Sequence, residues 1–535
     1  MSGNQPPITD RKPSVDPVIV SVALAGIVAV VLWGILSPGS LGDAASAGLA
    51  WTITDFGWLF VVAADAFLVA ALVLAASRYG RIRLGRDDDR PEFSTPAWIA
   101  MMFGAGMGIG LIFYAVAEPL QHLGTPPPGA DAAPGTTAAA SSAMQFTLFH
   151  WTLHPWAIYA VVGLAMAYAT YRKGRGNSLS AAFHPLLGKH ADGAAGRAID
   201  LIAVFATVFG SATSLGLGAL QIAAGLGIVT GIPQSEGLDI AIIAVLTVAF
   251  VLSAVSGISR GVKWLSSANV VLAAALVLFV FLAGPTGAIL NVLPSSIGSY
   301  LSNLVEMSAL TAAVADPDWL AGWTIFYWAW WISWAPFVGT FIARISRGRT
   351  IREFVVGVML VPSGVSVIWF AVLGGSALDM QLSGTADLTA QLADGAEGAL
   401  FGLLDALPAA NVTSIAAIIL IALYFITGAD SASLVLGTLS SRGDLDPRRP
   451  LVIVWGLTIG AVAAVLLVAG GLEALQQATI LVALPFVVVM LALIVALLRE
   501  LSQDPGGRLE ARPPAPASAA EPAEPAEPSV TSRSA

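Results

Sequence analysis

Tryptophan is the residue whose placement in this sequence most clearly suggests a binding site. The chain has fifteen tryptophans, and six of them lie in one short stretch, at Trp319, Trp323, Trp328, Trp330, Trp331 and Trp334. On a helix, residues 330, 331 and 334 share one face. Indole faces attract cations, and quaternary ammonium groups are the ligands that aromatic cages characteristically bind. The cluster therefore predicts a cage for such a group.

An aromatic belt at the membrane interface is the alternative explanation. It suits Trp319 and Trp323, at one end of the stretch, better than it suits Trp330 and Trp334. A second aromatic group, which lies elsewhere in the chain, consists of Trp151, Trp156 and Tyr159. Two such groups together favour a cage. No acidic residue is adjacent in the sequence to these rings, which favours a zwitterion over a bare cation, because its own carboxylate offsets the charge that must be desolvated.

A row of alternating glycines lies within an apolar segment, at Gly104, Gly106, Gly108 and Gly110. Each glycine inside a helix disfavours that helix by roughly 1 kcal/mol relative to alanine, so we expect unwound backbone here. Close helix packing is the alternative for Gly106 and Gly110 alone. Unwound backbone at membrane depth can coordinate a cation with its carbonyls or a carboxylate with its N–H groups. The spacing is not that of a phosphate-binding loop.

Composition places the chain in a membrane. Hydrophobic residues make up 56% of the 535 positions and charged residues 11%, whereas soluble domains carry about 25% charge. The chain has no cysteine, which excludes disulfides and thiolate ligands. Its five histidines show no metal-ligand spacing, so we predict no metal site beyond a transported ion and no other cofactor. No nucleophile–base pair is visible, so an enzyme is not predicted, nor is a nucleic-acid partner.

The tryptophans and glycines must be positioned by membrane-spanning helices. Apolar windows of about 20 residues predict twelve spans, at residues 17–37, 51–76, 97–119, 144–171, 199–228, 237–257, 264–284, 319–345, 353–377, 411–437, 449–470 and 473–499. With both termini in the cytoplasm, all 25 lysines and arginines fall in cytoplasmic segments, as the positive-inside rule requires. We therefore divide the chain into a cytoplasmic segment 1–16, a helical domain 17–500 and a disordered cytoplasmic tail 501–535.

Two of these spans are predicted to be interrupted. The third contains the glycine row, and the eighth contains Pro336, beside the tryptophan cluster. Interrupted helices five spans apart are typical of inverted repeats. The sequence therefore predicts an all-α polytopic membrane protein in which spans 3–7 and 8–12 are inverted five-helix repeats.

These motifs resemble those of the betaine/carnitine/choline transporter family, and most closely those of its glycine betaine members. The resemblance covers about residues 15–500. The most specific stretch is WTIFYWAWWISWAPFVG at 323–339, followed by ARISRGR at 343–349. Further matches are residues 106–110, Glu118-Pro119, residues 150–159 and residues 429–431.

The resemblance implies a LeuT-like fold, homotrimers in the cell membrane, and alternating access that is usually driven by sodium. It implies that Trp330, Trp331 and Trp334 form the central cage, with Met107 and Gly108 beside it and Trp151, Trp156 and Tyr159 along the pathway or in a second cage. Choline carriers of the family tend to have aspartate at the position of Gly110, so glycine there supports a zwitterionic substrate.

The resemblance also implies an ion site. Backbone carbonyls near Gly104, Met107 and Tyr424 would contribute, with the hydroxyl of Thr427 and of the next residue. That residue is Gly428, where sodium-coupled relatives often have serine, so protons are the alternative coupling ion. A second site would combine Phe337 with hydroxyls of the fifth span, for which Thr207, Ser211, Thr213 and Ser214 stay open.

Three acidic residues, Asp65, Glu118 and Asp430, lie within predicted spans and are candidates for function, although each could simply satisfy neighbouring backbone. The leading hypothesis is a sodium-coupled importer of glycine betaine. The alternatives are import of another solute, such as ectoine, carnitine, choline or dimethylsulfoniopropionate, and a non-transporting membrane sensor.

Overall fold

The computed structural model describes residues 15–106, 108–256, 258–392 and 395–507, and these ranges are predominantly helical. The helices of at least twelve residues are α1 (Pro17–Leu36), α2 (Pro38–Ala76), α3 (Thr95–Gly106), α4 (Ile109–Gly124), α5 (Thr137–Trp151), α6 (Leu153–Ala167), α7 (Ala194–Thr230), α8 (Glu236–Ser256), α9 (Ile258–Ala283), α10 (Thr286–Ser308), α11 (Phe326–Ile345), α12 (Ile351–Ser383), α13 (Ala410–Leu439) and α14 (Arg449–Ser502). No β-strand occurs in these ranges beyond a single bridge between Arg83 and Thr350.

The helices have the length and composition of membrane spans. In the described ranges, eight are long and apolar enough to cross a bilayer, or nine if the bent pair Ser267–Ala283 and Thr286–Ser308 forms one span. Helix α14 has 54 residues, and its backbone is not helical at Gly470 and Gly471, where the predicted spans 449–470 and 473–499 meet. The chain is therefore a multi-pass membrane protein, while twelve crossings and the orientation of the termini stay predictions.

The third predicted span is interrupted at the glycine row. Helix α3 ends at Gly106 and α4 begins at Ile109, and Gly108 between them has extended backbone (φ −141°, ψ −161°). The predicted interruption is confirmed, but it is narrower than the full row, because Gly104 is still helical and Gly110 already belongs to α4. Met107 lies outside the described residues. A second interruption, which the sequence did not predict, falls at Thr152 between α5 and α6 (φ −119°, ψ −109°).

The eighth predicted span is not broken at Pro336, which corrects the expectation drawn from that residue. Helix α11 runs without interruption from Phe326 to Ile345, and the irregular part is the wider turn Ala321–Ile325 before it. Proline removes one helical hydrogen bond, but membrane helices tolerate this where hydroxyls and neighbouring helices satisfy the backbone. On either side of the proline, the hydroxyls of Ser333 and Thr340 donate to backbone carbonyls of the same helix, at 2.7 and 2.6 Å.

Buried carboxylates attach both described ends of the chain to the helical core. Asp16 accepts from the backbone N–H of Val18 at 3.0 Å, where it caps α1, and from Arg197 and Arg442 at 3.0 and 3.1 Å. Beyond α14, Asp504 accepts from Arg172 and Tyr168. Residues 501–507 of the predicted tail are thus described, and 508–535 lie outside the described residues.

The Asp504 carboxylate is almost completely buried, and Arg172 donates to it at 2.9 Å. Tyr168 Oη donates to it at 2.5 Å. Burial alone would raise the pKa of Asp504, but the hydrogen bonds from Arg172 and Tyr168 outweigh burial and lower this pKa below its usual value. A lowered pKa means that the ionised carboxylate stabilises the folded state.

Asp504→Asn should lower the midpoint of thermal unfolding in detergent, measured by tryptophan fluorescence, because it removes charge-assisted hydrogen bonds worth about 1–3 kcal/mol. Asp87→Asn is the matched control, since Asp87 also bonds Arg172 but its side chain is 81% exposed. The stabilising contribution is present above the unfolded-state pKa near 4 and is lost as the pH falls through the lower folded-state pKa. The difference between wild type and Asp504→Asn should therefore shrink in acid. Equal midpoints for the two variants at pH 7 would contradict this account.

Candidate functional site

The three central tryptophans lie buried on α11, and interhelical hydrogen bonds orient two of them. The rings of Trp330 and Trp331 are nearly parallel, with centroids 4.9 Å apart and planes 12° apart. Trp331 Nε1 donates to the carbonyl of His150 at 3.0 Å, and Trp334 Nε1 donates to the carbonyl of Gly210 at 2.9 Å. These bonds join α11 to α5 and α7, so ring orientation and helix packing are set together.

The second aromatic group joins the first. Trp151, the last residue of α5, meets Trp331 edge to face, with centroids 4.9 Å apart and planes 73° apart. Its ring lies 6.2 Å from that of Trp330. Tyr159 lies 6.2 Å from Trp331 and 5.6 Å from Trp156. The two groups predicted from sequence thus form one continuous set of buried rings, in which Trp156 is the most remote member.

The interruption between α3 and α4 lies directly against these rings. A methyl group built at Gly108 would be 3.5 Å from the Trp334 ring. One built at Gly110 would overlap the Trp330 ring and lie 3.1 Å from Trp151. Only glycine fits at position 110 while the rings hold these positions. The first N–H groups of a helix have no acceptor within it, and no side chain caps α4 at Gly108, so the start of α4 presents backbone donors beside the rings.

Contrary to the sequence-based expectation, an acidic residue does contact the rings. Glu118 Oε2 accepts from Trp151 Nε1 at 2.7 Å and from Tyr327 Oη at 2.5 Å. Its other oxygen lies 2.7 Å from His150 Nδ1. These contacts were not predicted because Glu118 is distant from the rings in sequence and reaches the cluster from a different helix. The available signal was its position as an acid inside a span.

Two buried polar groups of the cluster have no hydrogen-bond partner within the described ranges. They are Trp330 Nε1 and the hydroxyl of Tyr159. A buried donor without a partner is unfavourable by about 1–3 kcal/mol. Both groups are therefore available to a ligand with hydrogen-bond acceptors.

The first set of ion-site candidates is partly assembled on α13. The Thr427 hydroxyl lies 3.3 Å from the carbonyl of Tyr424 and accepts from Asn269 Nδ2 at 3.0 Å. Asn269 was not among the sequence candidates, and its buried Oδ1 has no hydrogen-bond partner in the described part of the chain. A side chain added at Gly428 would meet nothing within 4 Å. Gly104 is in α3, and Met107 lies outside the described residues.

The second set of ion-site candidates lies between α7 and α11. The Thr207 hydroxyl donates to the carbonyl of Ala203 at 2.8 Å. The Ser211 hydroxyl, one turn further along α7, is buried and has no hydrogen-bond partner among the residues the structure covers. The Phe337 ring lies 5.5 Å from that of Trp334, so this member of the set is close to the central rings. The hydroxyl of Thr213 instead bonds that of Thr479 on α14, at 2.6 Å.

The other two acidic candidates bond side chains. Asp65 on α2 lies 3.1 Å from His154 Nε2, and Asp430 on α13 accepts from Ser253 on α8 at 2.8 Å. Both contacts link different helices, so a role in holding the helices together accounts for these two acids.

Comparisons with known proteins identify the family of this chain. Residues 18–506 match the model of the betaine/carnitine/choline family transporters. The glycine betaine transporter OpuD of Bacillus subtilis is 47% identical over 486 residues, which cover 90% of this chain and 94% of that protein. The betaine/ectoine transporter LcoP of Corynebacterium glutamicum is 43% identical over 507 residues, covering 92% and 79%. A glycine betaine/proline/choline transporter of Vibrio parahaemolyticus is 40% identical over 482 residues, covering 86% and 85%.

A family match over nearly the whole chain, together with relatives at these identities, establishes the family, whose named members are transporters and not enzymes. The aromatic cluster, the interrupted third span and these matches have one explanation: the chain belongs to the betaine/carnitine/choline transporter family.

Proposed function

We propose that this protein imports glycine betaine, or a closely similar solute with a quaternary ammonium or sulfonium group, by sodium-coupled symport and alternating access. The observation that carries the proposal is the contact of the α4 start with the rings of Trp330 and Trp334. It joins ring faces, which attract a methylated cation, to backbone donors, which suit a carboxylate.

The proposed substrate matches the cluster at both ends. Its trimethylammonium group would contact the faces of Trp151, Trp330, Trp331 and Trp334, and its carboxylate would accept from backbone at the start of α4 and from Trp330 Nε1. Tyr159 and Trp156 would line the approach to the rings. The names of three relatives include betaine or glycine betaine, which supports this substrate class.

Glu118 does not oppose a zwitterionic substrate, although it contacts the cluster. Its two oxygens are engaged by Trp151, Tyr327 and His150, and it bonds the nitrogen edge of Trp151. The carboxylate is thus committed to protein donors. No other acid is among the contacts described around the central rings, so nothing there would offset the charge of a bare cation such as choline. A substrate that carries its own carboxylate is therefore the better match.

For the coupling ion we propose sodium, bound by the oxygens near Thr427 and Tyr424 and by carbonyls near Gly104 and Met107. Hard cations prefer oxygen ligands, and the 3.3 Å separation of the Thr427 and Tyr424 oxygens suits a shared ion. The absence of a hydroxyl at Gly428 leaves one ligand fewer, which water or the Asn269 carbonyl oxygen could replace. Thr207, Ser211 and Phe337 are the candidates for a second ion.

The architecture of the transporter is the remaining feature. We propose twelve crossings, of which spans 3–7 and 8–12 are inverted repeats with a LeuT-like arrangement. Both termini would lie in the cytoplasm, and the transporter would form homotrimers in the cell membrane. Support comes from the confinement of every lysine and arginine to alternate connecting segments and from the helix interruptions at Gly108 and at Gly470–Gly471.

Proteoliposomes with an inward sodium gradient should accumulate labelled glycine betaine, and an excess of unlabelled betaine should suppress this more strongly than equal choline, carnitine or ectoine. Replacing external sodium with potassium, with and without an inward proton gradient, is the control for the coupling ion. If no trimethylammonium or dimethylsulfonium solute accumulates under any gradient, the transport proposal is wrong. Accumulation driven by protons alone would overturn the sodium assignment only.

Trp331→Leu should raise the half-saturating concentration of glycine betaine about 2- to 30-fold, because it removes one ring of the cage and each such contact is worth roughly 0.5–2 kcal/mol. Trp58→Leu is the matched control, since Trp58 is 53% exposed on the outside of the helical bundle. Initial uptake rates over a range of betaine concentrations measure the effect. An unchanged half-saturating concentration in Trp331→Leu would remove the cage from the proposal.

Gly428→Ser should lower the sodium concentration that gives half-maximal uptake, because it adds an oxygen ligand where the structure has space for one. Gly364→Ser is the matched control: Gly364 is also a helical glycine with nothing within 4 Å of a built side chain, but it lies on α12, away from Thr427. Uptake at fixed betaine and varied sodium measures the effect. The same response in both variants would argue against an ion at Thr427.

A further inference from the structure

A second polar cluster lies beside the aromatic site and has no role in the proposed transport. Glu118 and His122, one turn apart on α4, face His150 on α5. Their carboxylate oxygen and ring nitrogens all lie within 4.8 Å of one another, and all three residues are buried. We propose that these three side chains bind a divalent transition-metal ion of the zinc class.

The distances suit such an ion. His150 Nδ1 lies 2.7 Å and His122 Nε2 lies 3.5 Å from the same oxygen, Glu118 Oε1. Zinc binds nitrogen and oxygen ligands at about 2.0–2.2 Å in a tetrahedral arrangement, so its ligand atoms stand roughly 3.3 Å apart. These two separations bracket that value, and the nitrogens of the two histidines lie within 4.8 Å of each other.

The burial of His122 is not explained by hydrogen bonding alone. It is completely buried, and neither ring nitrogen has an aligned hydrogen-bond partner in the described ranges. Its ring is packed against the aromatic rings of Trp323 and Trp319, with centroids 4.4 and 5.5 Å away. The long 3.5 Å contact of His122 Nε2 with Glu118 Oε1 satisfies the buried imidazole poorly, whereas a metal ion would use its Nε2 lone pair.

The surrounding groups support the other two ligands in the way that metal sites require. Ligating histidines and carboxylates are normally held by further hydrogen bonds, which fix their orientation. Here His150 Nε2 lies 3.0 Å from the Thr324 hydroxyl. Glu118 Oε2, the oxygen turned away from the histidines, accepts from Trp151 and Tyr327. The fourth position of a tetrahedral ion would be taken by water.

The donor set also separates this site from the sodium candidates. Two imidazoles with one carboxylate suit zinc and related transition ions, whereas magnesium, calcium and other hard ions prefer oxygen alone. His122 lies two residues before the end of α4 at Gly124, so the cluster is near the end of its helix. The sequence missed this grouping because His150 is distant from the other two along the chain.

The test is direct titration of the purified full-length protein with Zn²⁺ by calorimetry at neutral pH, in excess Mg²⁺ to exclude sites that bind any divalent cation. Wild type should bind one Zn²⁺ per chain, and Co²⁺ at the same site should give the visible absorption of a nitrogen-ligated ion. His122→Gln should weaken Zn²⁺ binding at least tenfold and abolish the Co²⁺ spectrum. His184→Gln is the matched control, since His184 pairs with Asp192 outside this cluster.

His122→Phe provides a second variant, because phenylalanine can fill the space beside Trp323 but cannot ligate; it should behave like His122→Gln. The elution volume in size-exclusion chromatography and the midpoint of thermal unfolding verify that each variant is folded. The proposal fails if wild type binds no Zn²⁺ in excess Mg²⁺, or if the folded His122 variants bind it as tightly as wild type. It also fails if His184→Gln removes the binding. None of these results depends on whether the protein transports betaine.

Discussion

In the hydrocarbon core of a membrane, a polar group away from any water-filled cavity must find its partner within the protein. Three tryptophans meet that constraint by donating to backbone carbonyls of other helices. Trp331 donates to His150, Trp334 to Gly210 and Trp369 to Leu111. Each indole is thereby held at its nitrogen edge, and the bonds join helices that are far apart in sequence. The positions of the rings therefore follow from the packing of the helices.

The same constraint explains how Glu118 and the rings coexist. Glu118 lies on α4, and its carboxylate takes these partners from two other helices: Trp151 and His150 on α5 and Tyr327 on α11. Trp151 uses its N–H for this bond and presents its ring to Trp331. Because the polar edge is satisfied by the protein, the apolar face is left for contact with other rings or a methylated cation. The nitrogen edge of Trp151 thus stabilises the helical bundle, and its ring face belongs to the aromatic site.

Local features of the sequence predicted local features of the structure. The glycine row predicted the interruption before Ile109, because several residues with poor helix propensity act at one place. Pro336 predicted a break that did not form, because membrane helices tolerate a single missing hydrogen bond. The interruption at Thr152 has no glycine, and its signal was a single residue, Pro155, in the first turn of α6. A rule based on residue type therefore succeeded where the signal was repeated and failed where it was single.

Contacts between helices could not be predicted from the sequence, for a different reason. Spacing along one helix placed Trp330, Trp331 and Trp334 on one face, but nothing in the spacing of residues 118, 150 and 327 indicates that they meet. Asn269 beside Thr427 is a similar case, since the two lie on α9 and α13. An acid inside a span was a sign that a partner must exist, although it did not say which one. The identity of the partner depends on the relative placement of helices, which tertiary packing determines.

The aromatic site combines ring faces with hydrogen-bond donors that have no partner in the described part of the chain. Trp331 and Trp334 donate their N–H groups to the backbone, whereas the Trp330 N–H and the Tyr159 hydroxyl have no partner in the described part of the chain. The carbon edge of the Trp330 ring lies against Gly110, at the first turn of α4, where helix N–H groups also lack acceptors. Donors thus lie at the start of α4 and at the edges of these side chains, while the ring faces of the cluster carry no donor. A ligand with a negative and a methylated positive end would satisfy both sides at once, whereas a ligand with only one of these ends would leave buried donors or ring faces unmatched.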